Sequence, residues 1–282
     1  MIQIEKERER TDRAWNKLYG RLHEEDLFST TSNPTSHRSA VLKWTLAAVA
    51  VIAFCVYGTV AYFSPDAPKE LPNLLTQHNN ESSTLVTTLE DGSVVYLFGE
   101  TSLRYPEHFA SHKREVSLSG NAFFDITGNR VRPFSIETNE VKIEVIGTSF
   151  DVRTDANTPF ELSVKRGLVR VTSKKTGQTM QVKAGETVKL LAEKLQLSVL
   201  QNAQQFARYT KQMRFKDQRL ADILRVVNKQ GNGVRLEASP ALGERVLTVS
   251  LSDNSPQAVA ELICLAFNLK CTSKNGVLTL SE

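Results

Sequence analysis

Tryptophan, cysteine and methionine are scarce in this 282-residue chain, with two, three and three copies. So few cysteines exclude a disulfide-stapled fold. They are Cys55, Cys264 and Cys271, with no C-x-x-C spacing and no histidine cluster beside them, which argues against a zinc site. Cys55 lies in an apolar run, and Cys264 and Cys271 stand seven apart. Helical spacing turns Cys264 roughly opposite the apolar face Val259–Ile263–Ala266, so two unpaired thiols packed as small apolar groups are expected. A disulfide is the alternative if the region is exported. Catalytic signatures are missing as well: the chain has no H-E-x-x-H, G-x-S-x-G, P-loop or G-x-G-x-x-G. No turnover enzyme and no cofactor are therefore expected. His108 and His112 are four apart, but a loop fits better than a helix between Pro106 and Arg114, so no metal centre is expected. An excess of one charge is also lacking. Lys and Arg total 35 against 31 Asp and Glu, for a net charge of +4, and the basic residues are scattered. Without a basic face, nucleic-acid binding is set aside.

One long apolar run is present. Residues 44–63 read WTLAAVAVIAFCVYGTVAYF, 20 residues without a charge. In helical form that length matches the hydrocarbon core of a bilayer. Trp44, Tyr62 and Phe63 stand near its ends, where aromatic residues favour the interfaces. No helical phase offers a polar face, which separates the run from a buried core helix. It begins too deep for a usual signal peptide, and no A-x-A site follows. An uncleaved transmembrane helix is predicted. Close to the run, Arg38 and Lys43 on one side against Lys69 on the other place the N-terminus in the cytoplasm. The remainder is then exported.

Residues 1–43 form the cytoplasmic tail. Trp15, Leu18, Tyr19 and Leu22 fall at i, i+3, i+4 and i+7, one apolar stripe on a helix otherwise covered in charge. A helix this short is marginal alone in water. Either it frays in solvent with a chance stripe, or it completes itself on a partner. The polar stretch STTSNPTSHRS links it to the span, and residues 64–82, rich in proline and polar groups, read as a tether.

From residue 83 to 191 the pattern becomes short alternating runs: SVVYL (93–97), REVSL (114–118), VKIEVI (141–146), SFDVRT (149–154), ELSVK (161–165) and LVRVTS (168–173). Turn signals at Asp91-Gly92, Gly128-Asn129, Thr176-Gly177 and Ala184-Gly185 separate them. A spacing of about ten residues per strand predicts an all-β unit. From about Phe206 the periodicity changes. Leu220, Ile223, Leu224 and Val227 make a helix stripe, followed by strands VRLEA (234–238) and VLTVSL (246–251). Ser255-Pro256 opens a second helix as N-cap and first-turn proline. A hairpin turning at Lys274-Asn275-Gly276 ends the chain. Residues 206–282 are thus expected to form a small α+β module, with a sheet edge left open to a partner.

The β region resembles the FecR domain. The residues that carry the likeness run from Leu89-Glu90-Asp91-Gly92-Ser93 through Ser102-Leu103-Arg104-Tyr105-Pro106 and Phe109 to Arg114-Glu115-Val116. They continue with Gly120-Asn121-Ala122-Phe123-Phe124, Arg132-Pro133-Phe134 and Gly147-Thr148-Ser149-Phe150-Asp151-Val152. The module resembles the small domain that follows FecR domains in Bacteroidetes proteins, itself similar to the short N-terminal domain of secretins and TonB-dependent receptors. Ala14-Trp15 is similar to the pair that begins such chains. Phe98, Asn121 and Tyr209 depart from the pattern, where Asn, Glu and Trp are usual.

The resemblance implies a multi-domain inner-membrane regulator with a β domain of sandwich or solenoid-like form. Its tail would bind an extracytoplasmic-function sigma factor as an anti-sigma factor. Its exported part would receive a signal from the signalling domain of an outer-membrane TonB-dependent receptor. The resemblance also implies a single-turnover self-cleavage at Gly147-Thr148, with the Thr148 hydroxyl attacking the Gly147 carbonyl; Gly147 would otherwise simply permit a tight strand connection. Two rival functions are a membrane-anchored β-rich binder of glycans or cell wall and an assembly subunit with a secretin-like domain. The first calls for aromatic platforms, yet residues 83–190 contain no Trp.

Overall fold

Alternation of inward apolar and outward polar residues marks several strands of the chain. The computed structural model describes residues 73–154, 158–230, 233–252 and 254–282. The tail with Trp15, Leu18, Tyr19 and Leu22, the span at 44–63 and the start of the tether lie outside the described residues. No helix among the described residues is long and apolar enough to cross a membrane.

The described chain is mostly β. It opens with β1 (Leu74–Asn79), β2 (Thr84–Thr88), β3 (Val94–Leu97), β4 (Thr101–Pro106), β5 (Arg114–Asp125), β6 (Phe134–Glu137), β7 (Val141–Val145) and β8 (Ser149–Thr154). Then come β9 (Glu161–Arg166), β10 (Leu168–Ser173), β11 (Thr179–Lys183), β12 (Glu186–Leu191) and β13 (Lys194–Val199). β1 falls inside the stretch read from sequence as tether. It pairs antiparallel with β4 in full register, Leu74 opposite Pro106 through Asn79 opposite Thr101.

Twelve residues long, β5 serves two sheets. Its first half pairs with β4 and β6, and its second half with β3 and β8. The bend falls at Gly120, whose φ is +107°. A Cβ there would come within 2.8 Å of the Thr101 hydroxyl and the Glu100 carbonyl, so only glycine lets the strand turn the corner. Phe124, Phe150, Val152 and Leu162 of one sheet meet Leu103, Phe134, Ile143 and Val171 of the other in one fully buried core. Burying such side chains contributes about 1.5–3 kcal/mol each, the main stabilisation of the fold.

A 3-10 helix (Ala203–Thr210) follows, then β14 (Met213–Arg219), α1 (Leu220–Gln230), β15 (Arg235–Ala238), α2 (Pro240–Gly243), β16 (Val246–Leu251), α3 (Pro256–Phe267), β17 (Lys270–Lys274) and β18 (Val277–Ser281). Ser255 caps α3 through its side chain on the Ala258 amide, with Pro256 in the first turn. Asn275 and Gly276 take φ of 52° and 78° in the final hairpin, as a primed turn requires. β14 runs parallel to β2, Met213 opposite Thr84, and antiparallel to β16. β15, β18 and β17 make a separate three-stranded sheet.

A second core forms here. Val86, Val94, Tyr96 and Phe123, from the outer face of the β region, share it with Tyr209, Phe215, Ile223, Val227, Val259 and Leu280. Cys264 and Cys271 carry free thiols, and of the two only Cys264 is half-buried. Cys271 is exposed, not packed as an apolar group, because it stands on the edge strand β17, opposite the buried Leu280 and beside Cys264. Burial pushes the Cys264 thiol up, and the neighbouring Cys271 thiol adds to the shift.

Candidate functional site

The Gly147-Thr148 pair lies in the connection between β7 and β8, where three glycines converge. A Cβ on Gly147 would come 2.5 Å from the Gly128 Cα, and one on Gly167 would come 2.6 Å from the Thr148 methyl. The φ of Gly147 is not positive, so the need for glycine there is close backbone approach. Gly167 is the residue in the left-handed region, at φ +90°. The Thr148 carbonyl accepts from the Ile126 amide at 2.9 Å. Thr148 is 2% exposed, and its hydroxyl oxygen has no hydrogen-bond partner among the described residues. No base therefore stands ready at that oxygen.

Arg114 fastens the connection from beneath. It occupies an inward position of β5 and is fully buried, with its guanidinium 5.4 Å from the Phe134 ring centre. It donates to the Asp91 carboxylate, to the Thr127 carbonyl at 2.9 Å, to the Arg132 carbonyl at 2.8 Å and to the Ile146 carbonyl at 3.3 Å. One side chain thus holds the Asp91-Gly92 turn, the 127–132 loop and the residue preceding Gly147. Asp91 is itself held, accepting from the Ser93 hydroxyl at 2.7 Å and the Ser93 amide at 3.0 Å.

Two carboxylates of the β region face the C-terminal module. Asp125, at the end of β5, accepts from Ser149 at 2.7 Å and Arg166 at 3.3 Å, and pairs with Lys229 of α1. Burial alone would raise its pKa; Lys229, Ser149 and Arg166 outweigh that and hold the carboxyl below its ordinary range. Asp151, on the face of β8 turned away from the β core, accepts from the Tyr209 hydroxyl, from Arg208 at 3.2 Å and from Arg153 at 3.3 Å. Here burial prevails over the neighbouring cations and pushes the carboxyl up.

Aromatic packing completes this contact. Tyr209 stacks on Phe123 at 5.6 Å and meets the edge of Phe98 at 6.1 Å, while Arg208 lies 5.3 Å over Phe98. Phe98 and Tyr209, two of the departures from the family pattern, therefore touch each other. The Gln218 side chain accepts from the Thr88 amide at 3.1 Å, and Arg214 pairs with Glu81 at 2.8 Å.

Thr148 is thus buried and Gly147 half-buried in the connection between β7 and β8, while Trp15, Leu18, Tyr19 and Leu22 fall outside the described residues. Arg114, Asp151 and Tyr209 were not singled out from sequence as structural ties. The signal was there in part: Arg114 opens a strand at the phase of Val116 and Leu118, and Asp151 lies between two apolar residues. His108 sits in the loop after β4, with Nδ1 3.0 Å from Glu90.

Comparison with curated proteins gives no match. Two crystal structures of a protein from Parabacteroides distasonis ATCC 8503, described provisionally as an anti-sigma factor, are similar to this chain. They have TM-scores of 0.46 and 0.45 at 21% identity, over 74% of this chain and 99% of theirs. Residues 76–170 match the family described as FecR protein, a stretch running from β1 into β10 that includes Arg114, Gly120 and the Gly147-Thr148 connection. Residues 76–170 of this chain are a FecR domain.

Proposed function

We propose that this chain is an anti-sigma regulator anchored in the bacterial inner membrane. The tail, residues 1–43, binds an extracytoplasmic-function sigma factor in the cytoplasm. The exported part takes its signal from the signalling domain of a TonB-dependent outer-membrane receptor, which docks on residues 206–282. The observation that carries the reading is the FecR domain, joined in one sequence to a membrane-length apolar run and a striped helical tail. The two carboxylates that bind α1 and the 3-10 helix supply a physical link through which docking on the module reaches the FecR domain. No turnover chemistry is assigned.

The tail is tested by the double change Trp15→Ala, Leu18→Ala. Large apolar anchors in an interface cost about 2 kcal/mol or more on truncation, which is about thirtyfold in affinity. Output from the sigma-dependent promoter should rise sharply, or vanish if the tail also activates. Unchanged output at normal protein levels would sink this assignment.

A second reading concerns Thr148 and is favoured by its buried, unpartnered hydroxyl. In a single turnover the oxygen adds to the Gly147 carbonyl carbon, the Gly147–Thr148 amide bond breaks, and the freed Thr148 amine takes the hydroxyl proton. Water then opens the resulting ester. A threonine hydroxyl needs activation for this step, and close packing around Gly147 is what the site offers in place of a base. Fragments of residues 1–147 and 148–282 are expected in protein purified from its host, held together by the β8 pairings, and Thr148→Ala should abolish them. Mass spectrometry showing only intact wild-type chain would reject cleavage.

A further inference from the structure

The last turn of α3 leads straight back into β17. Asn268 closes the helix in the left-handed region, at φ 53°, and the Cys264 carbonyl accepts from the Leu269 amide at 2.9 Å. Such an ending reverses the chain within a few residues. It brings Cys264, in the last turn of the helix, beside Cys271, the second residue of the strand.

Register fixes which way Cys271 faces. It stands opposite Leu280, and Ser273 stands opposite Leu278. Both leucines pack into the second core, so Cys271 lies on the face of the sheet turned to α3. Cys264 packs against the same core, next to Ile263. The two thiols touch as hydrogen-bond partners. A disulfide draws its sulfurs to about 2.0 Å, which contacting thiols reach by a small side-chain rotation. Every residue of β17 is exposed, and β18 is its single partner among the described strands. Little beyond that one ladder holds the strand in place.

We propose that Cys264 and Cys271 are a disulfide-forming pair that fastens β17 to α3. The oxidant is a second disulfide: a thiol–disulfide oxidoreductase in the cell, or oxidised glutathione in solution. Cys271 is exposed and meets it first. Its thiolate attacks one donor sulfur, the donor disulfide breaks, and a mixed disulfide forms as the other donor sulfur leaves as thiolate. The Cys264 thiolate then attacks the Cys271 sulfur and expels the second donor sulfur. The two cysteines lose two electrons, the donor gains them, and its two thiolates take up the two thiol protons. Closure in the cell rests on the exported placement proposed above, since a reducing cytoplasm keeps thiols open. The ability of the pair to close does not rest on it.

Lys270 separates the two cysteines, so trypsin releases them in different peptides, 246–270 and 271–274. Reduced full-length chain in mild detergent, equilibrated with oxidised glutathione, should give these two peptides linked. The intact chain should still run as a monomer on a non-reducing denaturing gel. The closed form should have a higher urea midpoint than the reduced form, and Cys271→Ser should abolish the difference. Free thiols after equilibration, a lasting mixed disulfide of glutathione on Cys271, or a link between two chains through Cys271 overturns the proposal. The same digest on chain taken from its host, with thiols blocked at lysis, reads the compartment separately. Linked peptides are expected there; blocked cysteines alongside closure in glutathione would uphold the pair and refute the export.

Discussion

Arg114→Met should lower the stability of the β region by about 3–5 kcal/mol, the cost of removing one partner from a buried ion pair. The side chain fills an inward place on β5 at 1% exposure. Methionine replaces most of its volume and keeps contact with Phe134. It cannot donate, so the carbonyls of Thr127, Arg132 and Ile146 each lose a bond, and the Asp91 carboxylate, 10% exposed, loses its ion-pair partner. Neutral hydrogen bonds contribute about 1 kcal/mol each, whereas an orphaned buried group costs about 1–3 kcal/mol. Several orphans therefore outweigh any gain from leaving the guanidinium in water. Changing Asp91→Leu in the same chain removes the stranded carboxylate and should recover part of the loss. The urea midpoint of unfolding reads both effects. A shift equivalent to less than about 1 kcal/mol for Arg114→Met would show that the three segments hold together without it.

Asp151→Ala should release the 3-10 helix Ala203–Thr210 from the FecR domain at a cost of about 2–3 kcal/mol. The Tyr209 hydroxyl is fully buried, and Asp151 is its acceptor. Arg208 and Arg153 are about one-third exposed, so they turn to water and add little. The substitution also frees the protein from burying a carboxylate, which limits the loss. That trade gives a pH dependence of known sign. Burial raises the Asp151 carboxyl above its unfolded value. Its contribution is thus fully present below the ordinary carboxylate range and shrinks as pH rises through the raised value. Asp151→Asn should keep the shape and flatten this dependence, while Asp151→Ala should open the 203–210 segment to limited proteolysis. Equal proteolysis in wild type and Asp151→Ala would remove Asp151 from the docking of the module.

Much of the β region was legible because alternation is a local property. The runs at 93–97, 141–146, 149–154, 161–165 and 168–173 reappear as β3, β7, β8, β9 and β10 to within a residue or so at either end. The run at 114–118 reappears only as the first part of β5. The strand continues to Asp125 because Gly120 lets it bend and pair anew, and a bend of that kind depends on what packs beside it. The helices at Leu220–Gln230 and Pro256–Phe267 were legible from stripe, cap and proline. β1 and β14 were not. LLTQHN and MRFKDQR carry weak alternation, and each becomes a strand because β4 or β2 offers a free edge.

The candidate site divides along the same line. Gly147 and Thr148 stand out in the sequence as a motif, but Gly128 and Gly167, which make the space for them, are 19 and 20 residues away. The residues of β2 and β3 are nearly all buried; VVYL is apolar, but TLVTT holds three threonines, so the burial of β2 is not legible from its composition. That Val86, Val94 and Tyr96 face a second core rather than solvent depends on the module covering them. Sequence alone determined the apolar run at 44–63, the striped tail, the β character of the middle and the α+β character of the end, since composition and periodicity act between near neighbours. Only tertiary structure decided that Arg114 ties three segments, that Asp151 meets Tyr209 and that β14 lies between β2 and β16. Those pairings join residues far apart in sequence, and only the folded chain brings them within bonding distance.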